Sequence, residues 1–348
     1  MKKLYPFKEK LEKSIVFLIE KTGYIINPII LNFKNQNNKL IIFYFHGIYR
    51  NEAEKKLNHV DPQNNLTVSQ FTAFIEYFLA NKYQFIKPEN LSRGLTDNKP
   101  YIMLTFDDGY FNNTLAIEII NKYKIPATFF ITTKNILENK SYWWDVIYKY
   151  RVKEGKNLDE IRKEQNYLKG YKHSFIQNYI NENFGRDSFK PWSDIDRPLN
   201  IKELKEVSAN PYVTIGNHTD NHSILTNYSD EEIKKELSLS NKILFDLTGI
   251  NPSTVAFPNG NFNPQVLHIT RELGFQFAFT VINKLNALPN INTDNQLICL
   301  NRFMAQTGNI KRYGSLNRLG YTPDLLYSDI KKKLLFKEKR MNLQAKND

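Results

Sequence analysis

Two adjacent carboxylates, Asp107 and Asp108, and two imidazoles four positions apart, His218 and His222, are the residues of this chain best suited to chemistry. The acids end the stretch Y-I-M-L-T-F-D-D-G-Y, Tyr101–Tyr110, whose apolar lead-in reads as a buried strand. Gly109 lets the backbone turn sharply there. Successive strand residues point to opposite sides, so the two acids should face different ways, one toward a metal and one toward a reacting water. The histidines stand in G-N-H-T-D-N-H-S-I-L, Gly216–Leu225, behind the strand-like Tyr212–Ile215. Two neutral imidazoles plus a distant carboxylate form a three-ligand set of the zinc type with an open position for water. Alone, a D-D-G tripeptide is commonest as a surface turn and a His pair as a polar loop. Their joint presence gives the metal reading its weight.

The combination T-F-D-D-G with H-T-x-x-H-S-x-L, together with Ala256-Phe257-Pro258-Asn259-Gly260, resembles the polysaccharide deacetylase family, the NodB-homology or carbohydrate esterase family 4 group. The resemblance runs from about Ile41 to Phe303. It implies a metal-dependent hydrolase that removes the N-acetyl group of an amino sugar, in a polysaccharide or on a lipid carrier. On that pattern Asp108, His218 and His222 hold a divalent metal, zinc by default, with cobalt, nickel or manganese also compatible with the donors. Asp107 is then the general base, and the backbone N–H of Asn259, between Pro258 and Gly260, helps to stabilise the oxyanion.

Two positions depart from the family pattern. Ala256 stands where an arginine usually orients the base, and Leu300-Asn301-Arg302 replaces the L-x-H that usually carries a general-acid histidine. Some members carry the acid as a histidine after the first strand, and Phe45-His46-Gly47 is similar to that arrangement, so His46 is expected to be the acid. Arg302 is expected to replace the missing arginine. His59, His173 and His268 sit in polar or helical contexts and look incidental. The alternatives within this resemblance are a deformylase of a lipid-linked formamido sugar and a glycan-binding member that has lost turnover.

The elements that must position these residues alternate. Strand-like runs at Ile41–Phe45, Tyr83–Ile86, Tyr101–Phe106, Ala127–Thr132, Tyr212–Ile215, Ser253–Phe257, Phe275–Val281 and Leu297–Phe303 are separated by helical patterns. The helices are expected at Ser69–Asn81 with Ser69 as cap, Thr114–Tyr123, Asn200–Val207, Ser229–Leu247 with a capping box to Glu232, and Asn263–Gly274. Roughly eight strands in such alternation predict an α/β fold, a distorted (β/α) barrel with its chemistry at the C-terminal strand ends. Between about 135 and 200 the apolar strand runs vanish and all three tryptophans occur, which predicts a helical insertion with a core of its own.

Composition bounds the rest. A chain of 348 residues, 41% hydrophobic, is large enough for a barrel-sized core. Its single cysteine, Cys299, excludes an internal disulfide framework. The net charge of +12 is concentrated at the ends: residues 1–40 and 330–348 each carry +5, leaving +2 between them. A nucleic-acid enzyme would spread its basic residues along a working surface, so no nucleic-acid partner is expected. Basic ends fit an anionic membrane surface, or simply solvated termini. Leu4, Phe7, Leu11, Ile15 and Leu18 recur as the stripe of an amphipathic helix, and no signal or bilayer-spanning run stands out. The expected organisation is therefore an amphipathic, basic segment (1–40), a barrel (41–305) carrying the insertion, and a basic tail (306–348). The expected location is cytoplasmic, peripheral at the inner membrane face.

Overall fold

The computed structural model describes residues 26–63, 66–95, 98–288 and 296–323, and a few positions as far as 332. The stripe Leu4–Leu18 and nearly all of the stretch 330–348 lie outside the described residues.

Ten strands form one sheet: β1 (Lys39–Phe45), β2 (Gln84–Phe85), β3 (Tyr101–Phe106), β4 (Ala127–Ile131), β5 (Val213–Asn217), β6 (Thr254–Ala256), β7 (Phe277–Phe279), β8 (Asn286–Ala287), β9 (Ile298–Leu300) and β10 (Phe303–Met304). The pairing order is β8-β1-β3-β4-β5-β6-β7-β9, with β2 added to β3 and β10 to β1. Only the β1–β8 pair is antiparallel. The ring closes through the chain itself, because β9 pairs with β7 and, after Asn301-Arg302, β10 pairs with β1.

Strand periodicity explains the layers. Ile41, Phe43 and Phe45 of β1 face helices outside the barrel, while Leu40 and Ile42 alternate into an inner cluster with Tyr101, Met103, Phe130 and Phe279. Helix α1 (Val68–Ala80) covers the outer face with Phe71, Phe74 and Phe78, and Phe74 meets Phe43 edge to face at 4.9 Å. Its cap is Thr67, not the expected Ser69: Thr67 is extended and forms a reciprocal capping box with Gln70, so the helix begins at the end of a short strand. Helix α2 (Thr114–Tyr123) crosses from β3 to β4 at its expected bounds.

The expected last strand, Leu297–Phe303, is split. Asn286 bonds both backbone groups of Asn301, donating to its carbonyl at 2.9 Å and accepting its N–H at 2.8 Å. That capture frees Arg302 to turn into the barrel, and pairing resumes on β1. With the two-residue β8, this split raises eight expected strands to ten.

Between β4 and β5 the chain leaves the barrel as helices α3 (Trp143–Lys153), α4 (Leu158–Leu168) and α5 (His173–Phe184). These share a core cluster containing Trp143, Trp144, Ile147, Ile161, Leu168 and Ile180. Further on, α6 (Ile201–Ser208), α7 (Asp230–Thr248) and α8 (Pro264–Glu272) return to the barrel periphery. Residues 310–318, placed in the basic tail from sequence, instead form α9 (Ile310–Arg318), which lies on α1 with Arg318 bonded to Asn81 at 2.6 Å. The tail thus starts beyond α9. No apolar stripe marked the helix in the sequence, because its buried residues are Gly314, Ser315, Leu316 and Asn317, of which Leu316 alone is a large apolar side chain.

Candidate active site

Four strands deliver the site to one end of the barrel. His46 follows β1, the Asp pair follows β3, His218 follows β5, and Pro258-Asn259-Gly260 lies just after β6. Asp107 still belongs to the strand ladder, since its N–H donates to Phe45 O at 2.9 Å. Asp108 does not: its φ is +75°, a left-handed conformation. The two carboxylates therefore diverge because the backbone reverses hand at Asp108, rather than by strand pleat as the sequence suggested. Gly109, at φ +90°, completes the turn. The turn is held by Thr132 N–H and the Tyr142 hydroxyl, which donate to Asp108 O at 3.1 and 2.7 Å.

The histidine loop is strained in the same way. Thr219 and His222 have φ of +64° and +51°, costly for residues with a Cβ and most of all for a β-branched one. Local bonds offset that cost: Thr219 N–H donates to Asn217 Oδ1 at 2.7 Å, and Ser223 N–H to Thr219 Oγ1 at 2.9 Å. Asn259 is also left-handed, at φ +56°, and a Cβ on neighbouring Gly260 would sit 2.2 Å from Val281.

Asp108, His218 and His222 present donor atoms that all lie within 4.8 Å of one another. Nε2 of both histidines is 3.3 Å from Asp108 Oδ1, and His46 Nε2 is 4.0 Å from Oδ2. His218 Nδ1 lies 2.7 Å from Ala256 O. A carbonyl can only accept, so Nδ1 carries the proton and Nε2 presents its lone pair to the cluster. Both Asp108 oxygens are buried without a well-formed hydrogen bond among the described residues. Burying a carboxylate in that state is expensive unless a cation completes it. This donor set fits a divalent metal. Burial pushes the Asp108 carboxyl up; with protons on the facing imidazole nitrogens in place of a cation, His218 and His222 outweigh it and hold the group well below the usual carboxylate range. Burial also lowers His218, yet the Asp108 and Asp107 carboxylates leave it above its ordinary value; His222 ends below.

Asp107 is paired differently. Arg302, fully buried, grips it with Nη1–Oδ1 at 2.7 Å and Nη2–Oδ2 at 2.9 Å. The same guanidinium donates to Thr280 O at 2.9 Å and Thr105 Oγ1 at 3.0 Å, and lies 4.9 Å from the Tyr44 ring centroid. Such a fork fixes a carboxylate in both position and plane. Arg302 thus sits against Asp107, where a base-orienting arginine would act, and not on the cavity wall.

The site opens into a cavity of about 460 Å³ whose walls include His46, Asp107, Asp108, His218, His222 and Asn259. The insertion closes its other side with Trp144, Arg162, Gln165 and Lys169. Trp144 lies 4.4 Å from the His222 ring and donates to the Tyr110 hydroxyl at 3.0 Å, which in turn donates to Asp145 at 2.6 Å. No motif pointed to these insertion residues. The tryptophans were legible only as core, and Trp144 is both core and wall. His59 and His268 lie off this cavity, and His173 faces a neighbouring pocket that shares Trp144 and His222.

Residues 94–278, just over half of the chain, match a family model described as polysaccharide deacetylase. The chain belongs to that family. The family's reaction is removal of acetyl groups from a glycan, and its members are generally metal-dependent. The deacetylase PplD from Streptococcus pyogenes, solved with acetate, shares 19% identity over 77% of this chain and 92% of its own, with a TM-score of 0.52. IcaB from Ammonifex degensii shares 16% over 81% and 98%, at 0.52. A de-N-acetylase from Aggregatibacter actinomycetemcomitans shares 15% over 80% and 100%, at 0.53. At such identities the likeness is one of fold, and it agrees with the (β/α) barrel. No curated protein matches the chain.

Proposed function

We propose that this deacetylase-family chain is a metal-dependent hydrolase acting on an N-acetyl amino sugar. The observation that carries the reading is the buried Asp108 carboxylate, unsatisfied and facing two imidazole nitrogens at 3.3 Å, beside a second carboxylate held separately by Arg302. Asp108, His218 and His222 would hold the metal. A divalent ion there would supply Lewis acidity for the acyl carbonyl and the attacking water. Zinc suits the one-carboxylate, two-imidazole set.

Asp107 takes a proton from the attacking water as its oxygen bonds to the acyl carbon. Arg302 keeps that carboxylate aimed through its two-point grip, so little reorganisation is needed. Asn259 at the cavity wall helps to stabilise the resulting oxyanion. As the C–N bond breaks, the leaving nitrogen takes a proton from His46, which lines the cavity with its Nε2 4.0 Å from Asp108 Oδ2. Products are acetate and the free amine. The substrate we favour is a lipid-linked sugar met at a membrane surface, because the basic residues cluster at the chain ends.

The test is mass spectrometry of N-acetylated sugars and oligosaccharides incubated with zinc-loaded protein, alongside Asp107→Asn. Loss of about 42 Da per sugar by wild type, with the variant slowed roughly 10²–10⁴-fold, supports the reading. Equal rates for both proteins would refute it.

A further inference from the structure

The charges around the cavity do not balance. On the barrel side Asp107 is neutralised by Arg302, and Asp108 belongs to the cluster that fits a cation. On the insertion side Arg162 is neutralised by Asp61, with Nη2–Oδ1 at 2.7 Å, and Asp61 also accepts from Gln165 at 2.6 Å. Lys169, which ends α4, is the exception. It is half-buried and lines the cavity, and among the described residues no carboxylate comes within ion-pair distance of its ammonium. The one acid whose charge reaches it, Asp61, is already engaged. Burial first, then the Arg162 charge, pushes the ammonium below its ordinary value. The carbonyl end of α4 offers it a modest favourable dipole, but that would be served as well by a side chain reaching into water. Half-buried at the cavity wall, the side chain gives up part of its solvent with no carboxylate partner among the described residues.

We propose that Lys169 forms a subsite for an anionic group carried by the substrate next to its N-acetyl amino sugar, either a phosphate ester or a carboxylate. An oxyanion bound there would complete the charge of Lys169, which among the described cavity-lining residues of the insertion has no carboxylate partner, and it would couple substrate choice to the insertion rather than to the barrel. A neutral sugar would leave that charge as it is. This inference rests on the deacetylase reading for the identity of the sugar, but not for the charge preference itself.

The experiment is calorimetric binding of three probes to zinc-loaded wild type, Lys169→Met and Lys169→Arg: N-acetylglucosamine 1-phosphate, N-acetylglucosaminuronic acid and the methyl glycoside of N-acetylglucosamine. Wild type should bind one of the anionic probes roughly 10- to 100-fold tighter than the neutral one, the range of a charged hydrogen bond. Which probe gains identifies phosphate or carboxylate. Lys169→Met should lose that preference while keeping its affinity for the neutral probe, and Lys169→Arg should retain most of it. Wild type without preference, or an undiminished preference in a folded Lys169→Met, overturns the subsite. Deacetylation is followed in the same samples. Charge preference without turnover sinks the hydrolase reading and leaves the subsite standing; turnover without charge preference does the reverse.

Discussion

Replacing Arg302 with methionine would remove a guanidinium and leave the Asp107 carboxylate, almost wholly buried, without its partner. Thr280 O loses its donor as well. Breaking one side of a buried ion pair costs about 3–5 kcal/mol, most of it the desolvation of the charge left behind. For a chain of 348 residues the unfolding entropy is on the order of 0.7 kcal/mol/K, so the melting temperature should fall by roughly 4–7 °C. The effect on turnover should be larger. An unheld carboxylate can rotate away from the attacking water, and loss of a positioned base is worth roughly 10²–10⁴ in kcat. Arg302→Lys separates charge from geometry: it keeps one positive charge but cannot make the fork, and should recover more stability than activity. The assay pairs thermal melts with steady-state deacetylation, at equal metal content measured by plasma mass spectrometry. If Arg302→Met melts and turns over like wild type, the buried pair neither stabilises this barrel nor positions its base.

Four other outcomes follow from the same geometry. The double variant His218→Ala/His222→Ala should purify with metal strongly reduced against wild type prepared in parallel; undiminished stoichiometric metal would remove these residues as ligands. His46→Ala should lower kcat with little change in metal content, and wild-type kinetics on an amide substrate would reassign the acid. Burial, aided by the His222 charge, pushes the His173 imidazole from 6.5 down to about 4, so the folded state resists its protonation. The stability it allows is complete above about pH 6.5 and is lost as pH falls toward 4; His173→Gln should flatten the melting temperature across that window, and an unchanged slope would show that another group controls it. Helix 26–33 exposes Ile26, Ile29, Ile30 and Phe33, which adds apolar surface to the basic chain ends, so the protein should sediment with anionic vesicles at low salt and release at high salt or on deletion of 330–348. Protein that stays in the supernatant at every salt concentration would remove the membrane surface as a partner.

What the sequence determined by itself was local in origin. Apolar runs of four to six residues placed the main strands, because a strand covered on both faces needs no polar residue. Ser229 with Glu232 marked the start of α7, and the helix begins there as the box satisfies the Ser229 and Glu232 backbone donors reciprocally. The Asp pair and the His pair were legible because each is a short motif whose residue types suit one chemistry. The expectation that Arg302 replaces the arginine absent at Ala256 came from the family resemblance rather than from any local pattern.

Tertiary structure decided whatever joins distant parts of the chain. Arg302 meets Asp107 across 195 residues, and only the break of the last strand at Asn301 aims it there. The divergence of the two carboxylates comes from a left-handed Asp108, a conformation held by Tyr142 and Thr132 that no local pattern reveals. Nor does any pattern mark Trp144 or Lys169 as cavity walls. A helical stripe records which side is apolar, but the partner it packs on, and the charges left facing a cavity, are set by how the insertion docks on the barrel.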